Sequence, residues 1–198
     1  MKGKFIVFEG ISGTGKETQA KLLQEYLTKK GVDATIVYHP SIELKKILSA
    51  WRKERQIDSM TEAYLLLADR SDHVRRIIKP ALASGTWIIS LRSWISALVY
   101  QGKTKQDQAW ITSQFQRFEP VADMIYYFTI DPSVALSRIR KRHALTGERI
   151  GKFETLQYLT EKCDRYDTVL GSIPHFFIDA SKREDDVQRM IQANLKMN

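Results

Sequence analysis

Short apolar runs alternate along this chain with longer stretches in which apolar residues recur every three or four positions. Five runs read as buried strands: KFIVFEG at 4–10, DATIVYH at 33–39, TWIIS at 86–90, MIYYFTID at 124–131 and HFFID at 175–179. They are short and rich in β-branched and aromatic residues, as strands are. Helical spacing fills the gaps. Ala20, Leu23 and Leu27 share one helix face after the first strand, and Gly31 ends that helix. Ser59 with Glu62 reads as a capping box opening a long helix to position 82. Positions 93–100 and 108–118 read as two more helices. Asp131 caps a helix with Pro132 at its first position. A helix over about 153–170 follows, and Ser181 with Glu184 reads as the capping box of the last. Alternation of this kind predicts an α/β three-layer sandwich, a five-stranded parallel sheet with helices on both faces. Ligands of such sheets bind beyond the carboxyl ends of the strands. Gly10, His39, Leu91 and Asp131 fall along that edge.

The 198 residues suit one domain, 1–198, with a core of its own. Hydrophobic residues at 43% and charged residues at 27% make an ordinary globular mixture without repeats. The one apolar run near the start, FIVF, is too short for a leader or a membrane span, so no membrane attachment is expected. A single cysteine, Cys163, cannot form an intrachain disulfide and suits a cytoplasmic protein. The net charge of +8 fits either a nucleic acid or a small polyanion. No helix-turn-helix, zinc or aromatic-platform pattern is present, which argues against nucleic acid. Several basic residues gather instead in RIRKRHALTGERIGK, 138–152, together with Gly147 and Gly151. That stretch reads as a loop closing on phosphates or as a solvated helix face.

The candidate chemistry lies in FEGISGTGKET, residues 8–18. A phosphate-binding loop needs two glycines five apart, then Lys, then Ser or Thr, between a strand and a helix. Gly10, Gly15 and Lys16 fit. In that loop the backbone around Gly10, Ser12, Gly13, Thr14 and Gly15 turns N–H groups toward phosphate oxygens, and the helix N-terminus adds its dipole. Lys16 reaches the terminal phosphates. Glu17 breaks the pattern, and the hydroxyl comes one place late, at Thr18. Glu17 either ligates magnesium or points away and complements the helix dipole.

At nearly full length the chain resembles the thymidylate kinase family of P-loop nucleoside monophosphate kinases. The resemblance rests on FIVFEGISGTGKETQAKLL, LLLADRSDHVRRIIKPALASG, ISLRSWISALVYQG, DPSVALSRIRKRHALTGERIGKFE and FFIDASKREDDV. It implies strand order 2-3-1-4-5, a mobile basic lid at about 143–152, ATP and magnesium as cofactors, and homodimers. It implies transfer of a phosphoryl group from ATP to thymidine monophosphate. By position, Lys16, Thr18 and the loop amides hold the ATP phosphates, Arg92 bridges donor and acceptor phosphates, and Arg138 stacks on adenine. Arg70 and Gln101 bond the acceptor base, with Pro40, Leu66, Ser96 and Tyr100 around it, although Tyr100 could equally be core. Arg142, Arg149 and Lys152 are lid candidates. The family places a catalytic Arg in the loop or in the lid; the loop position here is Gly13, so the lid must supply it.

The departures fall on the acceptor side. Ser12 stands where the family has an acidic residue, and Tyr38 and His39 stand for Arg and Glu. Leu66 takes the place of a stacking aromatic, and Leu91 and Ser93 flank Arg92 in place of Asp and Tyr. Glu17 and Leu91 together read as one carboxylate moved across the site. The departures keep open a nucleoside monophosphate kinase with another acceptor, or a weakly catalytic nucleotide-binding relative.

Overall fold

The computed structural model describes residues 2–147 and 153–195. The lid positions 148–152, including Arg149 and Lys152, lie outside the described residues. Five strands, β1 Phe5–Glu9, β2 Ala34–Tyr38, β3 Trp87–Leu91, β4 Met124–Thr129 and β5 Phe176–Asp179, form one sheet in the order 2-3-1-4-5. All of its pairings are parallel. The expected sheet, with its order, is borne out.

Alternation along the central strand explains the layers. Ile6 and Phe8 point into the larger core, with Leu23, Ile89, Phe128 and Ile191. Phe5 and Val7 point the other way, onto Ile88, Val74, Ile78 and Leu82. β1 is buried at all five positions, as the middle strand of a sheet covered on both faces must be.

The helices are α1 Lys16–Lys29, α2 Ile42–Glu54, α3 Ser59–His73, α4 Lys79–Ala83, α5 Trp94–Tyr100, α6 Lys105–Phe115, α7 Pro132–Thr146, α8 Leu156–Leu170 and α9 Glu184–Ala193. α3 and α4 are one long helix joined by a π turn, Val74–Ile78. Four expectations change in detail. α3 is capped by Asp58, whose carboxylate accepts from the Met60 and Thr61 amides, and Glu62 is used elsewhere. α6 begins earlier, at a capping box of Thr104 and Asp107. The Ser181 hydroxyl turns back to Asp179, so α9 starts after Arg183 without a side-chain cap. α2 was not expected at all, though Ser41 caps it by accepting from the Leu44 amide, and Leu44 and Leu48 anchor it.

The edge formed by the carboxyl ends of β1, β2 and β3 is laced together. The His39 amide donates to Leu91 and the Arg92 amide to Phe8. The expected alignment of Gly10, His39 and Leu91 follows from these bonds.

Candidate active site

The loop after β1 takes its shape from glycines no other residue could replace without movement. Gly10 has φ 136°, and a Cβ there would lie 2.4 Å from the Phe128 carbonyl oxygen. Gly13 has φ 85°, and its Cβ would meet the Ala135 carbonyl oxygen at 2.5 Å. Both conformations are unfavourable for an L side chain as well. An arginine therefore does not fit at position 13, which agrees with a catalytic charge supplied from elsewhere.

Lys16 folds back over this loop. Its Nζ donates to the Ile11 carbonyl at 2.6 Å and lies 2.8 Å from Thr14 Oγ1. Burial, and then the Arg92 guanidinium, push the ammonium well below the ordinary lysine range; Glu9 opposes them. A buried cation beside a second cation is a place that an anion stabilises. With N–H groups at the start of α1, this arrangement fits the phosphates of a nucleoside triphosphate.

Arg92 sits at the border between the loop and a large cleft. Its backbone is left-handed, φ 75°, unusual for a residue with a side chain. Strain of about 1–3 kcal/mol persists only where surroundings over-determine the geometry, and here they do. Arg92 Nη1 donates to Tyr166 Oη at 2.8 Å and to Ser96 Oγ at 3.1 Å. Behind them lies Glu9, fully buried. Its Oε1 accepts from the Ser93 amide and hydroxyl, and its Oε2 from Ser96 Oγ and Tyr166 Oη. Four donors on one carboxylate fix the whole group. Ser93 supplies two of them.

The cleft, about 1160 Å³, is lined by Ser12, Pro40, Leu66, Arg92, Ser96, Tyr100 and Gln101 among others. Seven positions singled out in the sequence thus meet in one place. Arg70 is not brought to the cleft with them. It turns beneath the sheet, fully buried, and bonds Glu119 at 2.6–3.1 Å and Ser90 Oγ at 3.2 Å. Gln101 Nε2 donates to Glu62, which is itself held by Arg52 at 2.6 and 2.8 Å.

Glu17 is 60% exposed on α1, 3.3 Å from Lys21 and 3.2 Å from the Tyr38 hydroxyl. Thr18 is exposed beside it. Among the described residues no three acidic, His or Cys side chains group as a metal cage. Magnesium in nucleotide sites needs only one or two carboxylates besides the phosphates, and the contacts of Glu17 are surface ones that a divalent ion can displace. On the donor side, Arg138 donates to the Ala180 carbonyl at 2.8 Å, beside the loop after β5. Arg142 lies 3.5 Å from Glu154, which also pairs with His143 at 2.9 Å.

The sequence reading passed over the groups that α8 contributes. Tyr158 and Lys162 line the cleft, Tyr166 completes the Glu9 cluster, and Arg165 bonds the carbonyls of Leu98 and Gly102 at the end of α5. Their signal was the helical spacing of 158, 162, 165 and 166, which reads equally well as core.

The family pattern described as thymidylate kinase matches residues 8–191. A protein named probable thymidylate kinase in Methanosarcina mazei is 32% identical, over 96% of this chain and 94% of its own length. One named thymidylate kinase in Akkermansia muciniphila is 37% identical, over 78% and 73%. One named probable thymidylate kinase in Pyrococcus horikoshii is 38% identical, over 74% of each chain. The matched span runs from the first strand into the last helix, and on that evidence the chain belongs to the thymidylate kinase family.

Proposed function

We propose that this chain transfers the γ-phosphoryl group of ATP to thymidine monophosphate, giving ADP and thymidine diphosphate. The observation that carries the reading is the glycine-shaped loop after β1, with buried Lys16 folded over it, beside the cleft that Arg92 lines. Lys16 and the loop amides hold the donor's phosphates. Arg92, a planar fork held from behind by Tyr166 and Ser96, spans donor and acceptor phosphates. Leu66, Pro40, Tyr100 and Gln101 enclose the acceptor base. An acceptor phosphate oxygen forms the new bond to the γ-phosphorus as the bond to the ADP oxygen breaks. No covalent enzyme intermediate is needed, so catalysis is positioning and charge stabilisation.

Lid arginine at 149, with Arg142 and Lys152 as companions, supplies the remaining positive charge. The support is Gly13, whose surroundings leave no room for a side chain. Magnesium, when bound, neutralises phosphate charge, and Glu17 is the carboxylate we assign to it, with Thr18 beside the α-phosphate. Glu17→Gln should raise the magnesium concentration for half-maximal rate several-fold. An unchanged requirement would leave Glu17 only its helix-dipole role. A homodimer rests on the resemblance, and a cytoplasmic location on the single Cys163; the exposed Tyr64, packed on Trp110 at 4.7 Å, is an apolar patch of the kind dimers bury.

The deciding experiment is a coupled assay of ADP release with each nucleoside monophosphate in turn. Thymidine monophosphate should give the highest kcat/KM. A higher value with another acceptor, or no turnover with any, overturns the reading.

A further inference from the structure

Lys162 is an unusual lysine. It is 5% exposed, on the α8 face that lines the cleft. Burying an ammonium is expensive unless it is paired. Among the described residues its carboxylate contact is Glu161 at 2.7 Å, whose side chain is 55% exposed. Adjacent residues on a helix do not face one another, so this pair is a bent-back contact at the rim. The rest of the ammonium's setting is aromatic. Nζ lies 4.9 Å from the Tyr158 ring centroid and 5.8 Å from that of Tyr100. Such faces hold a cation without neutralising it.

Tyr100 is shared. The Arg92 guanidinium lies 5.0 Å from the same ring centroid. Lys162 is buried and Arg92 half-buried in the cleft wall, and the Tyr100 ring joins them. The other cleft cations differ: Lys45, Lys53, Arg55 and Lys103 are exposed, and Arg52 is committed to Glu62. The exit of β2, Tyr38-His39-Pro40, brings no permanent cation. Two cations held on the faces of one tyrosine, one buried and one half-buried, form a cradle for a phosphate.

We propose that Lys162 binds the acceptor's phosphate in the cleft, as the partner of Arg92. The assignment rests on the functional reading above, and it places on α8 a phosphate contact that the β2 exit lacks. Lysine suits the task as a compact charge that follows the phosphate as its oxygens reorganise.

Calorimetric titration of the full chain with thymidine monophosphate and, separately, with thymidine tests it. The two ligands differ only in the phosphate. Lys162→Met should weaken the monophosphate about 10- to 100-fold and leave thymidine within about twofold, as loss of one charged hydrogen bond predicts. Lys162→Arg should keep monophosphate binding within about fivefold, because the charge remains. Equal loss for both ligands makes Lys162 a wall of the pocket and overturns the assignment, as does no loss for either. If Lys162→Met does not fold, Glu161→Gln decides. Removing the competing rim carboxylate should tighten the monophosphate about two- to fivefold, and an unchanged affinity overturns the assignment. Failure of the unsubstituted chain to bind thymidine monophosphate is a separate result. It defeats the functional reading and this assignment with it.

Discussion

Leu66 sits in the cleft wall, 5% exposed, where the family resemblance places a stacking aromatic. An aliphatic side chain buries base surface but gives up part of the roughly 1–3 kcal/mol that aromatic stacking contributes per base. Leu66→Phe should therefore tighten thymidine monophosphate about three- to tenfold. It should also cost about 1–3 kcal/mol of stability if the packed neighbours must shift. Titration calorimetry and urea unfolding read the two effects separately. Abolished binding would mean that the base lies elsewhere. Leu66, Tyr100 and Gln101 were legible as cleft residues, because each lies on a helix face or helix end that the chain's pattern marks. Arg70's pairing was not legible, because its partner, Glu119, is 49 residues away and nothing local announces a sealed ion pair. Glu9, at a strand end, reads from sequence as a rival to Glu17 for magnesium; its four donated bonds come from Ser93 after β3, from α5 and from α8, which no local pattern announces.

Helix boundaries were legible where a cap is unambiguous and misplaced where two adjacent residues could serve. At α3 both Asp58 and Ser59 can cap, and Ser59 has Glu62 three residues on. The fold chooses Asp58 because Glu62 is needed by Arg52 and Gln101. Asp58→Ala should destabilise the protein by about 1 kcal/mol, the usual worth of an N-cap. Ser59→Ala should stay within about 0.5 kcal/mol. Urea midpoints of the two variants check this, and reversed effects would restore the serine as cap. α2 escaped notice because its stretch is polar, basic and follows Pro40. Its helical repeat is carried by few apolar residues, so packing against α3 decides it more than propensity does. The strands were read with little error, since a sheet buried on both faces leaves long apolar runs and few alternatives.

For the molecule as a whole, acid stability has a definite sign. The buried His39 ring is held below its ordinary 6.5, chiefly by burial and secondarily by Arg70, while Asp69 and Glu119 oppose the shift. The folded chain keeps this ring neutral at pH values where the unfolded chain begins to protonate it. The stability so held is complete above about 6.5 and drains as pH falls below it. Asp69 adds a lower window. Burial works against its ionisation, but His39 and Ser41 outweigh burial and bring it from 3.8 to about 2. Its contribution is complete above 3.8 and is lost as pH falls toward 2. Urea midpoints between pH 8 and pH 3 should therefore decline in two stages. His39→Asn should flatten the upper stage and also shrink the lower, because His39 helps hold Asp69 ionised. A midpoint that rises on acidification from pH 7 to pH 5 would contradict the account.

α8 reaches into three parts of this architecture. Tyr158 and Lys162 stand in the cleft, Tyr166 closes the Glu9 cluster beneath Arg92, and Arg165 ties off the last carbonyls of α5. A rod fastened at three places moves as one piece or not at all. Whatever quiets α8 at the cleft also quiets Tyr166, whose hydroxyl holds the Arg92 guanidinium. Occupancy of one half of the site is then felt by the other as lost freedom rather than as displaced atoms, and linkage makes the debt mutual. Slower amide exchange at Gln101 and Gly102, whose N–H groups bond the end of α5, would be its trace when either nucleotide binds alone.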